Sequence, residues 1–340
     1  MTLIDYTDLL QVNRPVLYLH SGEHYMPSHP NYYLSNADLF DSNNNMLLEA
    51  PTQAQLYDYS KKNPQVNTYL KLHNSVADNV RLGDAALQSP IYGLIRDYPE
   101  SSDMIYLIYI FFYPYNGWYN VLDVAKVGTH DADIECMMIE INKETQKPVR
   151  YYYGAHGSAD GTWVNADSIE YKNGRPVVYI AKHGHGTYYK PGIHFRLYGV
   201  ANDETDEGKL WDAELITVYP ESDLRFDKNT QGWIYYTNNW EPTGISGATT
   251  KHWYKNVPQV SLNAKVFSVE TWTGIKRVIQ LIVFILYITC LYYLSNLIYR
   301  AFSNKTSGSP IYATIFVSLF LATFTGIKYL LHRLILHYAE

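Results

Sequence analysis

The densest group of ligand-type side chains in the sequence is Asp123, His130, Asp131, Asp133 and Glu135, all within the run DVAKVGTHDADIECMMIEI. Side chains alternate faces along a strand, so Asp133 and Glu135 are expected to point the same way, with Ile134, Cys136 and Met138 on the opposite side. Two carboxylates held side by side repel each other unless a cation or a proton neutralises them. His130, three residues before Asp133 and shortly after Gly128, is placed to fold back over the strand end and add a nitrogen. Oxygen donors dominate, which suits calcium, magnesium or manganese, while the imidazole leaves zinc open. The plain alternative is a solvated acidic strand start that binds nothing.

Two further segments place histidines between glycines at the ends of apolar strands: Ile180-Ala-Lys-His183-Gly184-His185-Gly186 and Tyr153-Gly154-Ala155-His156-Gly157. Glycine lets the backbone turn sharply and approach a ligand closely. His156, standing alone, has a structural role as its alternative. His183 and His185 share a face if the chain is extended, so one is expected to coordinate a metal and the other to hydrogen-bond a coordinating carboxylate. Motifs for a catalytic nucleophile are weak. Gly157-Ser158-Ala159-Asp160-Gly161 has its serine one place early for a nucleophile elbow and lacks the strand–turn–helix setting. The sequence holds no phosphate-binding glycine loop, no zinc-finger cysteine pair and no His-Glu-x-x-His.

The elements that must position these residues read mostly as short strands. Val16–Leu19, Met104–Tyr113, Ile134–Ile141, Val149–Tyr153, Val177–Ala181, Ile193–Tyr198 and Ile234–Tyr236 are rich in β-branched and aromatic residues. Asn173-Gly174 tolerates the positive φ angles of a two-residue hairpin turn and joins Ser168–Tyr171 to Pro176–Ile180. Helical signal is confined to Thr52–Lys61 and Leu82–Gln88. Many strands and few helices predict a mainly β chain, a β-sandwich with peripheral helices, over residues 1–255. Residues 256–277 read as a connector.

Beyond it, Val278 to Tyr299 carries no charged side chain, and a second uncharged run, Pro310 to Ile327, follows a polar loop. A bilayer core of ~30 Å takes about 20 apolar residues in a helix, a length the second run barely reaches. The expectation is a C-terminal transmembrane hairpin: spans 278–299 and 311–331, a loop 300–310 and a tail 332–340, the protein being multi-pass with the lipid bilayer as partner. The N-terminus MTLIDYTDLLQVNRP shows no basic region followed by an apolar core, which predicts a cytosolic N-terminal domain. Cys136 and Cys290 fall in a strand and in a span, so they are not expected to pair, which fits a reducing compartment. The net charge of −6, without a long run of either sign, points away from nucleic acid.

Several segments, in order, resemble the vacuolar protein sorting-associated protein 62 family. They are Arg14-Pro-Val-Leu-Tyr-Leu-His20 with Glu23-His-Tyr-Met-Pro27, Phe111-Phe-Tyr-Pro-Tyr-Asn-Gly117, Val127-Gly128 with Asp133-Ile-Glu135, Tyr153-Gly-Ala-His156-Gly157, Trp163-Val164, Arg175-Pro-Val-Val-Tyr179, His183-Gly-His185 with Lys190-Pro-Gly192, and Trp240 to Gly247. Ile134 stands where the family usually has tryptophan. More distantly, Thr129 to Glu135 and His183-Gly184-His185 are similar to segments of the necrosis- and ethylene-inducing-peptide-like cytolysins. That second resemblance implies a β-sandwich and a divalent cation used to engage sphingolipid sugar headgroups. The position near Asp123 corresponds to an upstream aspartate ligand. The leading glycine and second histidine of the cytolysin heptapeptide are replaced here, and toxicity is not expected to carry over, because the sequence shows no secretion signal and carries its own expected membrane anchor.

These readings together predict a non-enzymatic, membrane-anchored protein that holds a divalent cation with Asp123, His130, Asp133, Glu135 and His185. Through the cation it would bind a glycan or lipid headgroup, with His156, His183 and Asp131 contributing to the ligand site. The family name implies vacuolar or endomembrane trafficking. Two alternatives stand beside this reading. One is a metal-dependent hydrolase with His183 or His185 as acid or base. The other is a structural scaffold of an organelle or viral inner membrane. Protein partners are not indicated.

Overall fold

The structure, a computed structural model, describes residues 6–98, 102–121, 125–155, 157–196, 202–242, 247–258 and 266–302. Asp123, His156 and the expected second span 311–331 lie outside the described residues. The chain divides into two compact units, one of residues 1–118, 129–194 and 203–265, the other of residues 119–128, 195–202 and 266–340.

The first unit is organised by a six-stranded sheet in the order Gly157–Asn165, Pro148–Ala155, His130–Asn142, Met104–Asn116, Ile91–Arg96, Leu215–Val218. Its two central strands are 13 residues each and pair antiparallel along their whole length. Met104–Asn116 reads as an almost unbroken apolar run because both faces of the sheet are covered. Tyr106, Ile108, Ile110 and Phe112, with Ile134, Cys136 and Met138, enter one core. Leu107, Tyr109, Phe111 and Tyr113, with Met137, Ile139 and Ile141, enter the other.

A second sheet closes the latter core with Leu17, Leu19, Val178, Ile180 and Trp211. In it, Val16–Leu19 and Arg175–Ile180 run parallel, with Val16 opposite Val177. The segments leaving the carboxyl ends of these two strands, 20–27 and 181–186, therefore emerge side by side.

The opposite core is closed by the helices Pro30–Leu34 and Gln53–Lys62, a three-stranded sheet built on Ala37–Asp41, and Trp233, Tyr236 and Trp240. Gln53–Lys62 starts at a reciprocal cap in which the Thr52 hydroxyl accepts from Gln55 N and the Gln55 side chain accepts from Thr52 N, at 3.2 and 2.9 Å. Its Leu56 is fully buried.

The expectation of a mainly β sandwich with peripheral helices is thereby corrected to a mixed α/β fold with several sheets. Helices cover a core face rather than decorating the rim, and parallel pairings join strands far apart in sequence. Two local expectations fail as well. Ile234–Tyr236 is a run of turns, with Ile234 N bonded to Gln231 O and Tyr236 N to Trp233 O, so its aromatic content reflects burial and not a strand. The helix expected at Leu82–Gln88 is instead Ala77–Arg81. The hairpin forms as expected, with Lys172 opposite Arg175 and φ of 54° and 77° at Asn173 and Gly174.

In the second unit, Val269–Phe302 is one helix, and its stretch Val269–Asn296 is long and apolar enough to cross a membrane. Among the described residues it is the one such helix, which corrects the expected two-span hairpin and multi-pass localisation. The first uncharged run has length to spare in a single helix, extended further by Val269–Arg277; the second run sits at the lower limit of a span. Cys136 and Cys290 are both free.

Candidate functional site

Four strand ends in the first unit supply the candidate residues. On His130–Asn142, Asp133 lies opposite Tyr113 and Glu135 opposite Phe111, on the face shared with Met137 and Ile139. Both carboxylates are buried, 5% and 9% exposed. The common face expected from strand periodicity is what the structure has. Ala132 takes φ 58°, a left-handed conformation that breaks the regular pleat between Asp131 and Asp133. Over this kink His130 Nδ1 donates to the Ala132 carbonyl at 2.8 Å, and burial pushes the imidazole pKa below its ordinary value.

The segment after Ile180 is a tight loop closed by Ala181 N to Gly186 O at 2.9 Å and His185 N to Ala181 O at 3.1 Å. His183 and His185 both adopt left-handed backbone, φ 65° and 53°. Such conformations cost on the order of 1 kcal/mol for residues other than glycine and persist only where surrounding contacts hold them. Glu23, from the neighbouring segment, does the holding. Its Oε1 accepts from His24 N and Tyr25 N, both at 2.8 Å, and its Oε2 accepts from His183 N.

His185 is fully buried between these elements. Its Nδ1 lies 3.0 Å from Asp133 Oδ2, its Nε2 lies 3.1 Å from the Tyr25 carbonyl and 3.9 Å from Glu23 Oε2. The carboxylate and the carbonyl oxygen are both acceptors, and each faces one of the two ring nitrogens. Burial works to raise the Asp133 pKa, but the His185 hydrogen bond and the nearby His130 hold it below the usual carboxylate range. Both ring nitrogens of His185 are thus engaged, one of them with the Asp133 carboxylate.

His183 is 3% exposed. Its Nδ1 donates to the Trp118 carbonyl at 3.2 Å, while Nε2 is buried without a hydrogen-bond partner among the described residues. Burial lowers its pKa and favours the neutral ring. Trp118, Tyr25 and His24 surround it, with ring centroids 4.7, 5.5 and 5.8 Å away. Gly117 makes this packing feasible: a Cβ there would stand 2.4 Å from the Tyr25 ring and 2.9 Å from His183 Cβ.

Asp131, expected at the ligand site, is gripped elsewhere. Arg81 forks its carboxylate with Nε to Oδ1 at 2.6 Å and Nη2 to Oδ2 at 3.0 Å, and Asp131 N donates to Glu241 Oε2 at 3.1 Å. Burial and the Asp131 charge push Glu241 up to about 7. Among the described residues, no three His, Cys, Asp or Glu side chains converge closely enough to hold a metal ion. Sequence reasoning missed Glu23, Tyr113, Arg81 and Glu241 as parts of this region. Glu23, Tyr113 and Glu241 do lie in segments that carry the family resemblance, and that was their only signal.

The arrangement defines a class: a mixed α/β, multi-sheet domain with a buried carboxylate–histidine centre at converging strand ends, followed by a membrane-length helix. Residues 3–265 match the family model of vacuolar protein sorting-associated protein 62, and the chain belongs to that family. No curated protein matches the chain.

Among solved structures, similarity extends to cytolysin folds. NLPPya in complex with mannosamine shares 12% identity and a TM-score of 0.37, over 72% of this chain and 87% of that one. NLPPya in complex with glucosamine gives 14%, 0.38, 72% and 88%. Necrosis and Ethylene inducing Protein 2 from the causal agent of cocoa's Witches Broom disease gives 14%, 0.29, 62% and 73%. At such distances the likeness carries no argument about site or ligand.

Proposed function

We propose that this Vps62-family chain is a non-enzymatic, membrane-associated binding protein acting in endomembrane trafficking. In this reading Asp133 and Glu135 take up a divalent cation, calcium, magnesium or manganese, and through it a hydroxyl-rich ligand such as a glycan or lipid headgroup. The observation that carries it is the Asp133–Glu135 pair: two carboxylates on one strand face, both buried, one of them oriented by His185 at 3.0 Å. Coordinating carboxylates are commonly held in this way by a second side chain. His130 has its Nδ1 engaged with Ala132 O, leaving Nε2 as the nitrogen able to join them. In this reading His185 orients the Asp133 carboxylate from behind, at 3.0 Å.

The test is thermal melting of the full chain in detergent, with chelator or with calcium, magnesium or manganese, alongside metal analysis of the purified protein. Cation at 100-fold excess over its dissociation constant should stabilise by roughly 2.7 kcal/mol. Asp133→Asn with Glu135→Gln should abolish that gain. Identical melting of the wild-type chain under all conditions would overturn the cation reading.

A further inference from the structure

Away from the carboxylate–histidine centre, a cleft of about 530 Å³ opens where the Ile91–Arg96 and Leu215–Val218 strands end together. The strands pair in parallel, Leu94 opposite Val218, and both residues form the apolar floor. Arg96 continues the alternation of Tyr92 and Leu94 onto that side, and Ser222, Tyr235 and Tyr254 complete the walls. The volume is that of a small-molecule site.

Arg96 differs from every other arginine of its unit. Arg14 and Arg175 pair with Asp212, Arg81 with Asp131, Arg150 with Glu140 and Arg225 with Asp223. Arg96 makes no ion pair among the described residues, and its Nε is buried without a hydrogen-bond partner. The two carboxylates on the cleft wall are already balanced: Asp97 by Lys143 at 3.0 Å, and Glu221 by Lys61 at 2.6 Å with the Tyr57 hydroxyl at 2.8 Å. Aromatic rings flank the guanidinium, Tyr254 at 4.5 Å and Tyr98 at 5.6 Å from its central carbon. Rings cover the face of a guanidinium and the Tyr98 and Tyr254 hydroxyls hydrogen-bond Arg96, but two hydroxyls do not satisfy all five N–H donors in its plane, which match two oxygens of one anion. Tyr98 is itself fixed, its hydroxyl donating to Trp253 O at 2.9 Å, so the clamp is rigid before any ligand arrives.

We propose that this cleft is a second ligand site, which receives a phosphate group on the in-plane N–H donors of Arg96. The phosphate comes either from a lipid headgroup or from a soluble phosphate ester. The site is independent of the cation reading, since none of its residues belongs to the carboxylate–histidine centre.

The experiment uses the full chain in dodecyl maltoside, a detergent without phosphate, titrated calorimetrically with inorganic phosphate at constant ionic strength. Saturable binding is expected, weakened roughly tenfold or more in Arg96→Gln and unchanged by chelator or by Asp133→Asn with Glu135→Gln. Arg96→Lys, which keeps the charge but loses the planar fork, should fold and still bind several-fold more weakly than wild type. Nanodiscs containing phosphatidic acid then separate the sources. Lowered apparent affinity for inorganic phosphate marks a lipid headgroup, and unchanged affinity with displacement by glycerol 3-phosphate marks a soluble ester. Absence of saturable phosphate binding to the wild-type chain, or equal affinity in wild type and both Arg96 variants, overturns the proposal.

Discussion

The imidazole of His185 lies flat on the phenol ring of Tyr113, with centroids 3.7 Å apart and planes 3° from parallel. Both rings are fully buried, and Tyr113 sits directly across the sheet from Asp133, the carboxylate that His185 binds. Stack, hydrogen bond and strand pairing therefore fix one another. Among the described residues the Tyr113 hydroxyl has no hydrogen-bond partner, and its pKa is pushed well above the ordinary value by burial and by Asp133, Glu135 and Glu23.

His185→Ala would remove the stack and leave the buried Asp133 carboxylate without this hydrogen-bond partner. A loss of ~1–3 kcal/mol is expected, the cost of stranding a buried acceptor. Tyr113→Phe keeps the stack and deletes only the unpartnered hydroxyl, so stability should stay within about 0.5 kcal/mol of wild type or rise. Urea titration of the three proteins decides it. A Tyr113→Phe loss as large as that of His185→Ala would show that the hydroxyl, and not the ring pair, matters.

Asp131 and Asp133 are two residues apart and should respond differently. Asp131→Asn breaks the fork from Arg81 and should lower stability by ~1–3 kcal/mol, the range for a partly buried charge-assisted pair. It should leave any response to divalent cations intact. Asp133→Asn should diminish that response. Chelator-dependent melting of the two single variants would contradict the assignment of Asp131 as a purely structural partner if it affected both equally.

Glu241 gives a pH dependence opposite to that of a salt-bridged carboxylate. Its folded-state pKa of about 7 lies above the ordinary 4.5, chiefly through burial. The folded protein therefore prefers the protonated form, and stability is lost as pH rises from about 4.5 through 7. Glu241→Gln, which can still accept from Asp131 N, should be more stable than wild type at pH 8 by ~1–3 kcal/mol. The difference should shrink toward zero near pH 4.5. Denaturation curves that run parallel at the two pH values would refute it.

The long helix offers a membrane test. Leu281, Ile282, Val283, Phe284, Ile285 and Leu286 are all more than half exposed. The full chain should remain in the membrane pellet after carbonate extraction. Leu286→Arg, placing a charge near the middle of the stretch at a cost of ~2.5–3.5 kcal/mol, should shift a measurable share into the supernatant. Quantitative release of the wild-type chain would exclude insertion of Val269–Asn296.

What the sequence determined by itself was local. Strand periodicity places Asp133 and Glu135 on one face because side-chain direction follows from the backbone of the strand alone. Asn173-Gly174 makes a hairpin, Thr52 caps a helix, and a long uncharged run forms a helix for reasons equally confined to neighbouring residues. The tertiary structure decided the partners. His185 meets Asp133 across 52 residues and Glu23 meets His183 across 160, because two parallel strands deliver their following loops to the same end of a neighbouring sheet. It also decided which acid is a ligand candidate and which is a strut, since Arg81 reaches Asp131 from 50 residues away. The left-handed backbone at His183 and His185 had no sequence signal at all. Non-glycine residues take that conformation only when contacts made elsewhere in the fold hold them there.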